Sequence, residues 1–180
     1  MKKDFIKLSG ILCAITLVAA VLLAFVNNIT AEHIEIAAKE ASESAMRSIL
    51  SEADSFENID ENIAKGTKNG NTVGYCVTVS PSGFGGPVEM MVGIGEDGVV
   101  KGIEILSHSE TAGLGAKAAT DDFKNRFKEK STELEVVKTV TENPEEVQAI
   151  TGATITSKAV AKGVKEASDM LENAKKGGSN

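Results

Sequence analysis

Hydroxyl side chains are concentrated in one short segment near the C-terminus, "AITGATITS", residues 149–157. It contains three threonines and one serine, and a helical pattern follows it. A hydroxyl just before a helix can accept a hydrogen bond from an N–H group that the first turn leaves unpaired. Thr154, Thr156 or Ser157 could each cap the helix in this way, so the residues alone favour a structural explanation.

Two further loops combine glycine with polar residues: "SGFGGP", residues 82–87, and "SETAGLG", residues 109–115. We refer to these two loops and residues 149–157 as the three glycine loops. Glycine lets a backbone approach a flat or anionic ligand closely, and N–H groups at a helix start can hold phosphate. Neither G-x-x-x-x-G-K-[ST] nor a strand-to-helix G-x-G-x-x-G is present, which disfavours a nucleotide-hydrolysing enzyme.

Residues for metal binding and nucleophilic catalysis are sparse. His33 and His108 stand far apart, and neither has a second histidine or cysteine at ligand spacing. No serine lies in a G-x-S-x-G turn. We therefore predict no metal site and no catalytic group, and we expect His108 at the surface or at the end of a strand. Cys76 is expected to be a buried strand residue.

The N-terminal region contains a long apolar run that predicts a membrane anchor. Residues 8–31 contain no charge and are rich in Leu, Ile, Val and Ala. A helix of this length extends about 36 Å, enough to cross a hydrocarbon core of about 30 Å. A cleaved signal peptide would have a shorter apolar run and a small-residue cleavage site. The sequence thus predicts an uncleaved transmembrane helix that the membrane lipid surrounds.

Charge predicts the orientation of that helix. Lys2, Lys3 and Lys7 precede the span, whereas glutamates dominate the turns after it. Positive charge favours the cytoplasmic side, so the main domain should be extracytoplasmic, attached to the plasma membrane by a single pass. The N-terminal piece carries +2 and the whole chain −7, which leaves −9 for the rest. Such an acidic body disfavours nucleic acid as a partner.

The remaining elements predict an α+β domain with an antiparallel sheet flanked by helices. A stalk helix should follow the span, with apolar and small positions from Ile34 to Ile49. Strands are predicted over 73–79 and 134–140, and a hairpin around "GEDG". One helix should be capped by Thr120, with Phe123 and Phe127 on its apolar face. A last helix should run from Ser157 to Ala174, with one apolar stripe made of Val160, Val164, Ala167 and Leu171. The predicted boundaries are 1–31 for the tail and span, 32–55 for the stalk, 56–174 for the domain and 175–180 for a flexible tail.

Two of the loops resemble signatures of the membrane-bound FMN-binding domain family. "TGAT" is similar to its flavinylation motif S/T-G-A-T/S, and "ETAGLG" to its second signature, E-T-P-G-L-G. Both occur in the expected order behind one anchor, and the resemblance extends from about Gly70 to Leu171. Within the family, the size and single anchor are most similar to the G subunits of Rnf-type ion-translocating ferredoxin:NAD oxidoreductases. The C subunit of the sodium-pumping NADH:quinone oxidoreductase is a longer relative.

The resemblance implies covalent FMN, joined through its phosphate to the hydroxyl of Thr154. An unaided threonine is a poor nucleophile, so a separate FMN transferase, Mg-dependent and using FAD, would make the bond. Thr151, Gly152 and Ala153 would form the segment that this enzyme reads. The resemblance also implies a flavin lined by Glu110, Thr111, Gly113, Leu114 and Gly115, and it implies the other membrane subunits of an Rnf-type complex as partners.

The chain departs from the family pattern at two positions. Gln148 stands where the family often has aspartate, three residues before the motif, and Ala112 replaces the usual proline. The first change bears on the efficiency of the transferase, and the second on the stiffness of the loop. Two alternatives also remain at this point: a stand-alone extracytoplasmic flavin-linked reductase or shuttle, and a cofactor-free sensor or assembly domain whose threonines only cap the helix.

Overall fold

The computed structural model describes residues 2–140 and 142–177. The chain divides into two compact units, Met1–Ala41 and Ser42–Asn180. The first unit consists of most of helix α1 (Lys2–Ile49). This helix is long and apolar enough to cross a membrane, with a mean hydropathy of 2.6 over its most apolar window, and none of that window is buried in the chain. Helix α1 therefore includes the predicted span and the predicted stalk as far as Ile49, whereas a strand already begins at Ser55.

The second unit is built on a five-stranded antiparallel sheet in the order β1-β2-β3-β4-β5. Each strand pairs with the next along the chain. Three of the connections are short turns, among them Asn69-Gly70 with both residues at positive φ, and the 80–87 segment is a longer loop. The predicted hairpin around "GEDG" is confirmed as β4 and β5. The strands are β1 (Ser55–Asp60), β2 (Ile63–Lys68), β3 (Asn71–Val79), β4 (Val88–Gly95) and β5 (Val100–His108).

One face of the sheet carries the main core. Alternate residues of β4 point to this face, among them Val88, Met90 and Val92, and all three are fully buried. Helix α3 (Thr154–Gly177) packs against β3 and β4 on this side. The apolar stripe predicted for this helix is confirmed, since Val160, Val164, Ala167 and Leu171 are buried. The helix begins three residues before the predicted start and extends to Gly177, into the predicted tail.

The opposite face of the sheet is lined by glycine. A Cβ built on Gly93 would overlap the Cγ2 atom of Ile49, and one on Gly74 would lie 3.2 Å from the Cδ2 atom of Leu50. The last residues of α1 therefore lie directly on the strand backbone, with Ala45 and Cys76 buried beside them. We call this surface the glycine-lined face; its glycines are Gly66, Gly74, Gly93 and Gly102.

The segment between β5 and α3 is less regular than the sequence predicts. The helix expected after Thr120 is a single turn, α2 (Asp121–Lys124), followed by a 3-10 turn over 125–127. Phe123 and Phe127 are buried as predicted and contact each other edge to face, with ring centroids 5.2 Å apart. The predicted cap is wrong: the Thr120 hydroxyl donates to the Lys117 carbonyl and makes no cap bond, because a 3-10 turn immediately precedes it.

A small parallel sheet completes the unit. Of the strand predicted over 134–140, only β6 (Glu135–Val137) forms, and it pairs with β7 (Glu146–Gln148). Strand β7 leads directly into residues 149–157, the third glycine loop in chain order. The loop is thus connected to a fixed strand on one side and to a long helix on the other.

Candidate functional site

The third glycine loop is fastened to the first turn of α3 by Ser157. Its hydroxyl accepts a hydrogen bond from the Ile150 N–H and donates one to the Ala153 carbonyl, both at 2.9 Å. Gly152 has φ +80°, a conformation that residues with a side chain rarely adopt. Because Ser157 is fully buried, these two bonds fix the tight turn that presents Thr154 as the first residue of the helix.

Glu110 connects all three glycine loops. Its Oε1 atom accepts hydrogen bonds from the Phe84 N–H at 2.7 Å and the Gly85 N–H at 3.2 Å. Its Oε2 atom accepts one from the hydroxyl of Thr156, at 2.9 Å. The residue's own N–H donates to His108 Nδ1 at 3.2 Å, which orients the start of its loop. One carboxylate thus joins residues 82–87, its own loop and helix α3.

Glycines surround this carboxylate because there is no room for larger residues. A Cβ on Gly83 would overlap Glu110 Oε1. One on Gly115 would overlap Oε2 and lie only 2.8 Å from Thr156 Oγ1. The glycine loops therefore pack against a charged group, and each hydrogen bond to it depends on the absence of a side chain nearby.

The surface of the three glycine loops combines a half-buried threonine with exposed apolar side chains. Thr154 itself is half-buried, whereas Phe84 is 71% exposed, Ile155 56% and Leu114 45%. Each glycine loop contributes one of these three apolar residues. Leu114 lies next to the turn, since a Cβ on Gly152 would be 3.1 Å from its Cδ2 atom. Such a surface suits a flat, largely apolar ring that carries an anionic group at one end.

The structure brings the residues of the two predicted signatures into one place. Leu114 approaches Gly152, and the Glu110 carboxylate reaches the first turn of α3. In the second loop the Thr111 carbonyl accepts the Leu114 N–H, and Gly113 occupies the left-handed region at φ +77°. Gly115 and Ala153 are buried, and the remaining predicted residues are exposed, namely Thr111, Gly113, Thr151 and Gly152.

Sequence reasoning missed two contributors to this arrangement. Phe84 lies in the first glycine loop, which neither signature includes. The hydroxyl pattern identifies Thr156 only as a possible cap, although its hydroxyl is buried and bonded to Glu110. The available signals were the glycine loop at residues 82–87 and a hydroxyl two residues after Thr154.

Gln148 lies at the end of β7, and Arg126 holds its backbone. The Arg126 Nη1 atom donates to the Gln148 carbonyl at 2.9 Å, and the same guanidinium pairs with Asp122. The Gln148 side chain is exposed and donates to the Lys138 carbonyl at 3.2 Å. A side chain at this position therefore faces outward.

The unit also has a cavity outside the three glycine loops. A cavity of about 430 Å³ lies between the end of α1, β5 and α2, away from the three glycine loops. Lys124 on its wall is paired, since it bonds Glu104 at 2.7 Å and Asp121 at 3.0 Å. Burial opposes the charge on Lys124, but these two carboxylates outweigh it and raise the pKa. Among the described residues, no group of three or more His, Cys, Asp or Glu is placed to hold a metal ion.

Comparison with known proteins identifies a family model and several relatives. The model for the FMN-binding domain matches residues 83–169, which include most of the three glycine loops. The G subunit of the Na(+)-translocating ferredoxin:NAD(+) oxidoreductase complex of Acetobacterium woodii is 40% identical, over 97% of this chain and 95% of the relative. The G subunit of the proton-translocating complex of Clostridium ljungdahlii is 41% identical, over 70% and 69%.

Solved structures share the fold. The C subunit of the Na(+)-translocating NADH-quinone reductase of Parabacteroides distasonis superposes with a TM-score of 0.54 and 25% identity. NqrC of Shewanella oneidensis gives 0.52 at 17% identity, which concerns the fold alone. The matches cover 62% and 64% of this chain, and they span somewhat less than two thirds of each of those structures.

Proposed function

Because this chain belongs to the FMN-binding domain family, and within it to the G subunits of ion-translocating ferredoxin:NAD(+) oxidoreductase complexes, we propose that it is a membrane-anchored flavoprotein electron-transfer subunit. The observation that carries the proposal is the meeting of three glycine loops at Glu110, beside the helical turn that begins with Thr154. A domain that needed its threonines only as helix caps would not require two further loops at the same place. The proposed cofactor is FMN, and its proposed attachment point is Thr154.

The residues present fit such a group. Thr154 offers a partly exposed hydroxyl at the first position of a long helix, where unpaired N–H groups favour phosphate. Gly152 carries no side chain, so Leu114 can lie against the turn that precedes Thr154. We propose that Leu114 contacts the ring and that Thr111, Gly113 and Gly115 complete the wall of the site. Thr151, Gly152 and Ala153 would be read by the transferase.

Attachment requires a phosphoester between the Thr154 hydroxyl and the FMN phosphate. With FAD as the donor, the Thr154 Oγ1–phosphorus bond forms, the pyrophosphate bond breaks and AMP leaves. The proton of the hydroxyl must be accepted by a base of the transferase, because Glu110, the carboxylate bonded to the same helical turn, already accepts three hydrogen bonds. The domain therefore acts as the substrate of this step, and a second protein catalyses it.

Bound FMN supplies the redox chemistry, namely the acceptance and release of electrons. The chain itself needs only to hold the ring in place and limit access of water. Backbone N–H groups, glycines and apolar side chains serve that purpose without a general acid or base. The absence of a predicted catalytic group in the sequence is consistent with this division of work.

We propose that α1 anchors the subunit in the membrane and that the second unit lies outside the cytoplasm. The helix has the required length and hydropathy, and lysines precede its apolar run. Its partners would be the other membrane subunits of an Rnf-type complex. A covalent cofactor suits this location, because a dissociable one would be lost by dilution outside the cell.

Intact mass spectrometry of the full chain tests the attachment. Co-expression with a flavin transferase should add one FMN less water, located in the peptide that contains residues 151–158. Thr154→Ala should abolish the gain and leave a colourless, folded protein. Thr154→Ser is the matched control, because it keeps a hydroxyl at the same place and should still be modified. Modification of Thr154→Ala, or an unmodified wild type, would disprove the assignment.

Co-purification distinguishes the complex from a stand-alone shuttle. Affinity isolation of the full chain from detergent-solubilised native membranes should recover polytopic partner subunits in fixed stoichiometry. Recovery of the flavoprotein alone, with intact FMN, would instead support the shuttle.

A further inference from the structure

The environment of Glu110 differs from that expected of a residue that lines a flavin. Both carboxylate oxygens are occupied by groups of the protein itself: two backbone N–H groups at Oε1 and one hydroxyl at Oε2. Three donors from two other loops converge on this one residue. Hydrogen bonds to a charged acceptor are roughly twice as strong as those between neutral groups.

The hydroxyl of Thr156 has no freedom to serve another partner. The residue is 1% exposed, and its Oγ1 atom lies 2.9 Å from Glu110 Oε2. It belongs to the same helical turn as Thr154, so the orientation of that turn and the position of the carboxylate are linked. Ser157, the next residue, separately fixes the turn at Gly152.

We infer that Glu110 and Thr156 are positioning residues, which together form a clamp that assembles the flavin site from its three loops. This inference rests on the proposed attachment of FMN at Thr154. The carboxylate does not bind the flavin; it sets the distance between the Phe84 loop, the Leu114 loop and the first turn of α3. Gly83 and Gly115 complete the clamp, because a side chain at either position would displace the carboxylate.

The clamp predicts that the hydroxyl of Thr156 influences the 82–87 loop through Glu110. Glu110 is the residue that joins Thr156 to the Phe84 N–H, through one hydrogen bond to each. Removal of the hydroxyl on α3 should therefore loosen the 82–87 loop. In a purely local role, Thr156 would affect its own helix and nothing else.

Hydrogen–deuterium exchange of the full chain in detergent, read by mass spectrometry, measures this coupling. Thr156→Val keeps the shape and removes the hydroxyl, and it should accelerate exchange about tenfold in the 82–87 peptide as well as in the 150–157 peptide. Glu110→Ala should do at least as much, and the double variant should add little to it. Thr156→Ser restores the hydroxyl and should return both peptides to within about twofold of the wild type.

A core variant controls for general loss of stability. Val92 is fully buried in β4 and contacts none of the three loops through a hydrogen bond, so Val92→Ala should accelerate exchange in the sheet and the loops alike. The clamp variants should act selectively on the loops. If Thr156→Val leaves the 82–87 peptide unchanged, or alters it no more than Val92→Ala does, the clamp is disproved.

A flavin readout separates positioning from simple structural support. In protein that carries covalent FMN, Thr156→Val and Glu110→Ala should change the visible circular dichroism and the midpoint potential of the flavin, and Thr156→Ser should restore both. If these variants accelerate exchange in the 82–87 peptide but leave both flavin signals at wild-type values, the positioning role is overturned. If the wild type takes up no FMN at Thr154, the proposed function fails, and the exchange experiment still decides whether the clamp exists.

Discussion

Two regions of the second unit depend on glycine for opposite reasons. On the glycine-lined face, Gly74 and Gly93 make room for Leu50 and Ile49, so an apolar helix end lies directly on the strands. In the glycine loops, Gly83 and Gly115 make room for the carboxylate of Glu110. The first arrangement buries apolar side chains away from water. The second lets backbone N–H groups donate hydrogen bonds to a carboxylate.

The difference shows that a glycine-rich pattern does not by itself reveal what occupies the space. Steric overlap would follow from a methyl group in either region. The consequences should differ, because loss of apolar packing lowers the stability of the whole unit, whereas displacement of Glu110 acts on the site. Substitutions in the two regions can therefore separate folding from function.

The largest effect should come from Ile49→Ala on the glycine-lined face. Ile49 is 8% exposed and fills the space above Gly93, so its truncation leaves a cavity that costs about 2–5 kcal/mol of the free energy of unfolding. Denaturant unfolding measures the loss, and the spectrum of bound flavin should stay unchanged. Ile34→Ala is the control on the same helix, where the side chain is 61% exposed. An equal loss in both variants would contradict the packing role.

A matched pair of glycine substitutions compares the two regions directly. Gly93→Ala and Gly115→Ala each introduce one methyl group into occupied space, and each should cost about 1–3 kcal/mol of stability. Only Gly115→Ala should alter the visible circular dichroism of bound flavin, because only its Cβ would overlap the Glu110 carboxylate. Altered flavin dichroism in Gly93→Ala would break the distinction between the regions.

Alkaline pH should destabilise the glycine-lined face through Cys76. Burial raises the pKa of this thiol from 9.0 to about 12. A raised pKa in the folded state leaves stability unaffected below pH 9, and stability is lost as the pH rises towards 12, by about 1.4 kcal/mol per pH unit. Unfolding of the Cys13→Ala protein across about pH 8–11 measures this loss.

The matched variant for that measurement is Cys13→Ala/Cys76→Ala. It lacks the buried thiol, so its stability should fall less steeply above pH 9. Identical pH profiles for the two proteins would show that the thiol is not held in a dry environment.

The smallest effect should come from a carboxylate outside both regions. Asp97, in the exposed "GEDG" turn, accepts the Val99 N–H at 3.0 Å and pairs with Lys101 at 3.0 Å, and these contacts lower its pKa. Asp97→Asn keeps the hydrogen bond and removes the charge, so stability at neutral pH should fall by less than about 1 kcal/mol. Because the folded pKa lies below the ordinary value of 3.8, the difference should begin to shrink only as the pH falls below 3.8, and it should vanish once the folded carboxyl is protonated. A larger loss of stability would contradict the view that an exposed ion pair contributes little to the free energy of unfolding.

Much of the fold was predictable because its signals are local. The β4–β5 hairpin followed from β-branched runs around a glycine turn, and the buried stripe of α3 followed from helical spacing. The helix after Thr120 was not predicted correctly, because Phe123 and Phe127 reach the core from a single turn followed by a 3-10 turn. Packing of the two rings, rather than the propensity of the segment, decided that conformation.

The candidate site could be identified in part from the sequence. The two signature loops were identified from their residues, and the structure places them next to each other. The role of Thr154 stays a prediction until the modified peptide is measured. The contribution of Phe84 and Thr156 was not predicted, because their link to the site passes through a residue distant in sequence.

The sequence by itself determined the apolar N-terminal helix, the β4–β5 hairpin and the presence of glycine at the loops. These properties depend on the length, periodicity and backbone freedom of neighbouring residues. Only the tertiary structure decided that Glu110 is held by Phe84, Gly85 and Thr156, and that Ile49 fills the space above Gly93. Such contacts join residues tens of positions apart, and what fills the space beside a glycine depends on which distant side chain the fold brings there.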